Sequence, residues 1–316
     1  MAGKKQEITK PTSERFTNAV LAEFTQNAGE IMAWGPHQKM LAQHLYIKID
    51  TQLAELEAKR IKNNETKKMP IKWENINMQK LAVDTIRRIE LGLDALAPNH
   101  ISPIPYLNGK TDKYDLDLRI GYEGKMFYRR EIAIDPPKDV RIELVYSADE
   151  FKPNMKSVKN QVESYEFRVI NAFDRGDVVG GFGYIIYDDE TKNKLIFVTK
   201  KDFEKSEKKG NVTFWKGYPD NMRYKTIVHR VADKLGIDPK KMNAAVADAE
   251  SQDERDFERE VDENANKTVI DIDGEKVDTE SGEVVEEAQN SEEPQTTEAE
   301  LVGADKGGNG NKGPGF

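Results

Sequence analysis

The chain reads as an α+β protein. Apolar residues recur at helical spacing up to about residue 93, alternation takes over from about residue 115, and a helical pattern returns near residue 220. The first helix, over 13–32, puts Phe16, Val20, Phe24 and Ile31 on one face, with Leu21 and Ala28 beside them, and Gly35-Pro36 breaks it. A second helix, over about 37–62, carries Leu41, Leu45, Ile49 and Leu53 as its stripe. Residues 62–72 are polar and basic and read as a loop. Asn77 can cap a third helix, with Met78, Leu81, Ala82, Thr85, Ile86, Ile89 and Leu93 on one face and Gly92 where a C-terminal glycine belongs.

Pro103-Ile104-Pro105-Tyr106, running on to Asn108-Gly109, reads as a Pro-rich turn. Strands are expected over 115–120, 140–146, 163–172, 180–187 and 194–199, the last two joined as a hairpin through the polar residues 188–193. Lys200-Lys201-Asp202-Phe203 opens a short helix, and Gly210-Asn211 marks a turn. Asp220 can cap a late helix through Met222, Ile227, Val231 and Leu235, stopped by Gly236 and Pro239. Beyond about residue 247 the composition turns to Glu, Asp, Ser, Gln and Thr, which offers too little apolar surface to offset chain entropy. The expected layout is a disordered N-terminus (1–12), a core (13–246) and an acidic disordered tail (247–316), with at most a transient charged helix near 251–262.

The chain has no cysteine, which excludes disulfides and thiolate metal sites and suits a reducing cytosol. No apolar run is long enough for a membrane span, and Met1-Ala2-Gly3-Lys4-Lys5 leads into polar sequence with no signal core. The net charge of −9 hides an asymmetry: residues 1–244 hold 42 basic against 35 acidic side chains, whereas 245–316 hold 6 against 22. A basic body with an acidic tail points toward nucleic acid, although a surplus of this size is also ordinary for a body of this length. The tail can be read as a competitor for a basic groove, as a partner site, or as a solubilising segment.

Catalytic patterns are sparse. Asp115, Asp117 and Glu123 lie near one strand, and Asp115 and Asp117 share a face, as metal-binding carboxylates of a nuclease would. No third carboxylate stands at a matching spacing. His37, His44, His100 and His229 are scattered and give no metal pattern. No Gly-x4-Gly-Lys-Ser/Thr loop appears, so ATP use is not supported, and no cofactor is expected.

Two blocks remain. In the first, the third helix ends in Leu91-Gly92-Leu93-Asp94, Pro105-Tyr106 follows, and a strand closes in Gly121-Tyr122-Glu123-Gly124 ahead of Arg129-Arg130. The two glycines suit a sharp strand-to-helix turn or the close approach of another backbone, nucleic acid included. Tyr122 suits either base stacking or the core. In the second, Phe214-Trp215 precedes Met222-Arg223-Tyr224-Lys225-Thr226 and Arg230 on the late helix. These cations do not form one narrow stripe, yet long stems can bring them to a shared groove. Lys192, Lys194, Lys200 and Lys201 cluster at the hairpin and the helix after it, as groove lysines or as strand-edge protection.

The order and content of both blocks resemble the RecT family of phage single-strand annealing proteins, over roughly residues 30–245. The sequence departs from the family pattern at Lys125-Met126-Phe127-Tyr128 and at Asp135-Pro136-Pro137. The resemblance implies N-terminal helices, an antiparallel β-β-β-α core with a hairpin, a late basic helix and no catalysis. It implies ATP-independent annealing in the cytoplasm of a bacterial host, on a ring or helical filament of identical subunits that binds single-stranded DNA and nascent duplex. A host single-strand-binding protein and a cognate exonuclease would be partners. The DNA contacts it implies are Tyr122, Lys125, Arg129, Arg130, Lys192, Lys200, Lys201, Trp215, Arg223, Lys225 and Arg230. A metal-dependent nuclease using Asp115 and Asp117, and a non-enzymatic phage assembly protein, are the alternatives.

Overall fold

Three helices lead the chain because their apolar residues recur every three or four positions. In a computed structural model, which describes residues 12–28, 34–210, 212–252 and 255, they are α1 (Thr12–Ala28), α2 (Pro36–Lys62) and α3 (Met78–Glu90). Phe16 and Val20 of α1, the expected stripe of α2 and Leu81, Ala82, Ile86 and Ile89 of α3 are all buried in one core. The expected extension of α1 past residue 28, the N-terminus before residue 12 and nearly all of the acidic tail lie outside the described residues. Asn77 caps α3 by accepting from the Lys80 amide at 3.3 Å, and Gly92 follows its end at φ +70°.

The Pro-rich stretch is a strand, not a turn. β1 (Ile101–Asn108) pairs antiparallel with β2 (Lys113–Ile120), Pro103 opposite Leu118 and Pro105 opposite Leu116. Two prolines at alternate positions fit a strand whose other edge pairs with no strand among the described residues, because their missing N–H groups face away from the ladder. β2 then turns into α4 (Tyr122–Glu131). A Cβ on Gly121 would stand 2.2 Å from the carbonyl oxygen of Asn99, and one on Gly124 would stand 2.6 Å from that of His100. The close approach read in these glycines is therefore made by the chain's own backbone, at a strand-to-helix turn.

Five strands follow: β3 (Asp139–Tyr146), β4 (Glu150–Asn154), β5 (Ser164–Arg168), β6 (Val178–Ile186) and β7 (Lys194–Thr199). β3, β6 and β7 form an antiparallel sheet in the order β3-β6-β7, and α5 (Lys200–Lys209) leaves its last strand. This is the expected β-β-β-α order with an insertion: among the described residues β4 and β5 pair only with each other. The strand expected over 163–172 is thus β5, shorter and in a separate ribbon. After α6 (Val212–Gly217), α7 (Pro219–Ala232) lies across the sheet. Gly181 and Gly183 of β6 let it approach: a Cβ there would meet Ile227 at 2.3 Å and Val231 at 2.1 Å. Val178, Ile185 and Val198 of the sheet and Ile227, Val228, Val231 and Ala232 of α7 make a second core, and Phe182, Tyr184 and Leu195 on the opposite face make a third under the β4–β5 ribbon.

α4 joins the first two cores. Tyr128 belongs to the core of α1–α3 and Met126 to the core under α7. Between them Lys125 and Arg129, only 6% and 8% exposed, point to carboxylates. Lys125 Nζ lies 2.9 Å from Asp233, and Arg129 donates from Nε to Glu250 at 2.6 Å, a second time to the same carboxylate from Nη2, and to the carbonyl of Leu235 at 3.1 Å.

Glu250 lies in a helix that straddles the expected start of the tail. α8 (Ala244–Glu250) is capped by Asn243 and buries Ala245, Val246 and Ala249 in the first core. The expected boundary at residue 247 therefore falls inside a folded helix. Asp248 binds Arg87 at 3.1 Å and Arg88 at 2.8 Å, Tyr128 donates to Glu250 at 2.8 Å, and Gln252 exchanges bonds with the amide and carbonyl of Ile120 at 2.8 and 3.1 Å. Helix propensity and carboxylate content look alike in a tail and here; only the distant arginines distinguish them. Removing a partner from a buried ion pair costs about 3 kcal/mol. Ending the chain after residue 246 is thus expected to lower the urea midpoint sharply, and ending it after residue 260 to leave it at the full-length value.

Candidate nucleic-acid interface

The two sequence blocks pack on each other. Tyr122, at the start of α4, meets Tyr224 of α7 edge to face with ring centroids 6.1 Å apart, and its hydroxyl accepts from Asn99 Nδ2 at 3.0 Å. Burial raises the pKa of both phenols above the ordinary tyrosine value, and also raises that of the Glu123 carboxyl beside them. Tyr122 therefore sits half-buried against a helix, where its ring serves packing.

The other ten candidate contacts fall into three groups. Lys125, Arg129 and Trp215 are interior. The first two are locked to Asp233 and Glu250, and Trp215, 4% exposed, packs against Gly210. They are withdrawn from a surface role because each is enclosed by its own chain. Lys192, Arg223 and Arg230 reach the surface but each holds a carboxylate: Asp135 at 2.8 Å, Asp220 at 2.8 Å and Asp202 at 2.9 Å. Lys200 and Lys201 are exposed on the first turn of α5, and Arg130 and Lys225 are half-buried.

The Arg230 pair fixes α7 to the start of α5. Thr199 accepts from the Asp202 amide while Asp202 accepts from the Thr199 amide at 2.9 Å and hydroxyl at 2.7 Å, a reciprocal cap. These bonds to Thr199, helped by Arg230, hold the Asp202 carboxyl down at about 2. Arg230 thereby lies beside Lys200 and Lys201 rather than swinging free. At the other end of α7, Asp220 also accepts from Tyr146 at 2.9 Å, so Arg223 is tied through it to β3. The missed features are these carboxylates. Each lies near its cation only in space, apart from Asp220, three residues before Arg223 on one helix.

The carboxylates proposed for metal chemistry are occupied otherwise. Asp115 accepts from Asn77 at 2.9 Å and Asn108 at 3.0 Å, and Asp117 lies 3.5 Å from Arg119. Among the described residues no group of three His, Asp or Glu side chains is placed to hold a metal ion. No helix among them is long and apolar enough to cross a membrane.

The RecT family model matches residues 86–268, from within α3 to beyond α8. No curated protein and no solved structure matches the chain.

The Asp202 cap has a pH signature. Its folded-state pKa is depressed, so its contribution to stability is complete above about pH 4, the ordinary carboxylate range, and is lost as pH falls toward 2. Asp202→Asn is expected to cost about 1 kcal/mol at neutral pH, as lost caps do, and to flatten that part of the acid unfolding profile. Urea titrations at pH 7, 4 and 2.5 measure both.

Proposed function

The chain belongs to the RecT family, a family of single-strand annealing proteins of phage recombination, and we propose that it pairs complementary DNA strands without ATP while holding them by their phosphates. The observation that carries this reading is the extent of the match, which takes in both sequence blocks and the helices α4, α7 and α8 that hold them together.

The chemistry needed is modest. Two strands kept extended on one protein surface are concentrated relative to each other, and base pairing supplies the specificity. Phosphate contacts bring affinity without sequence preference. Lys200 and Lys201 on α5, with Arg223, Lys225 and Arg230 of α7, are the cations proposed for that contact. Arg230 and Arg223 would exchange Asp202 and Asp220 for phosphate, a trade between two anions that leaves the arginines paired throughout. Copies assembled into a ring or helical filament would extend the surface along the strand, in the cytoplasm of a bacterial host. A host single-strand-binding protein and a cognate exonuclease are the proposed partners.

Mixing complementary oligonucleotides with the protein in the absence of ATP is expected to speed duplex formation over the protein-free rate; an unchanged rate overturns the reading. Affinity for a single strand should fall steeply with salt, with a log–log slope of roughly −0.7 per phosphate contact. Replacing Arg223, Lys225 and Arg230 together by alanine should make that slope shallower by about two units or less, measured by fluorescence anisotropy across a salt series.

A further inference from the structure

The face of the β3-β6-β7 sheet opposite α7 is only partly covered. Along β3, Val140, Ile142, Leu144 and Tyr146 pack toward α7, so Arg141 and Glu143 point to the other face. The β4–β5 ribbon lies on that face, where Phe151, Tyr165 and Phe167 pack over Phe182 with ring centroids 4.6, 4.5 and 5.5 Å away. It stops short of β3. The uncovered strip is a cleft of about 560 Å³ lined by residues 141–143 of β3 together with Ser164, Tyr165, Phe167 and Tyr184.

We propose that this cleft takes one nucleobase of the bound single strand, seated between the Tyr165–Phe167 wall and the β3 edge with Arg141 on its phosphate and Glu143 toward its amino groups. The proposal rests on the reading of the chain as a single-strand binder.

Its size lies within the range of small-ligand sites. Aromatic rings offer a surface on which any base can stack, consistent with a protein that does not choose sequence. Arg141 and Glu143 stand two residues apart on one strand face, so the site is close to neutral. A bare phosphate would gain little there, because the carboxylate opposes it. A nucleotide uses both: guanidinium to phosphate, and carboxylate as acceptor for the exocyclic amines of adenine, cytosine or guanine. β3 is the sheet's outer strand, so alternate residues also turn N–H and C=O groups outward, where a base edge can meet them. Tyr184 closes the floor, its hydroxyl engaged with the Glu163 carbonyl at 2.7 Å. At present Arg141 is held near the mouth by Asp139 at 3.4 Å and by a hydrogen bond to Tyr165. The Asp139 contact is exposed, and a phosphate can displace it.

One base per subunit held aside in this way would set a fixed stride of DNA along the assembly while the intervening bases stay free to pair.

The test compares a normal single-stranded oligonucleotide with an abasic one of equal length and charge, on the full chain and on Arg141→Ala, Glu143→Ala and Tyr165→Leu. Tyr165→Leu keeps an apolar side chain on Phe182 and removes the stacking face, and the two β3 variants alter exposed positions only. The parent is expected to prefer the base-bearing strand by roughly five- to a hundredfold, the range of one stacked base, and Tyr165→Leu and Glu143→Ala to shrink that preference. Arg141→Ala should weaken both strands. Ultraviolet crosslinking of a 5-iodouracil oligonucleotide should map to the peptide holding Tyr165 and Phe167. If the parent anneals strands but shows no base preference, or the variants keep it and crosslinks map only elsewhere, the cleft proposal falls and the family-based function stands. If the parent neither binds nor anneals DNA, both fall.

Discussion

Everything in this fold converges on α4. It is a ten-residue helix with one side in the core of the N-terminal helices and another in the core beneath α7. The cations that it turns inward, Lys125 and Arg129, must be neutralised where they are enclosed. Lys125 and Arg129 are therefore matched to Asp233, just past α7, and to Glu250 on α8. Leaving either cation unpaired would strand a charge away from water, which is far costlier than the pair's net contribution. The requirement fixes where α7 ends and why α8 must return.

This arrangement revises how charge is read in the chain. The excess of basic residues in 1–244 suggests a positive surface. Much of it is spent internally: Arg88 is bound to Asp248 and the Leu118 carbonyl, Arg129 to Glu250, and Arg60 to Glu57. Carboxylates from the region counted as acidic tail perform part of the neutralisation. The surface is thus less positive than the composition implies.

Most helices and the three-strand sheet were legible because their apolar spacing is local. Leu41, Leu45, Ile49 and Leu53 announce α2, and Tyr184, Ile186, Leu195 and Phe197 announce the β6–β7 hairpin. β1 was hidden by Pro103 and Pro105, whose turn signal is the same whether the free edge of a strand or a loop accommodates them. β4 was hidden by Pro153 and a polar face, since Glu150, Lys152 and Asn154 look outward. α8 was hidden for a deeper reason: its stabilising partners lie elsewhere in the chain. The same holds for the candidate interface. A lysine or arginine in sequence carries no mark of whether a carboxylate will find it, so Lys125, Arg129 and Trp215 read as ligands until the fold enclosed them. The half-covered sheet face depends on how far a ribbon reaches over its neighbour, which no periodicity encodes.

The return of α8 has a consequence for synthesis. Arg88 and Asp248 are 160 residues apart, and Ile120 waits 132 residues for Gln252. Contacts of such long range close late. A ribosome that has already released α1, α2 and α3 must translate almost the whole folded region before their core gains its last wall. Nascent chains thus carry an open apolar seam until α8 emerges.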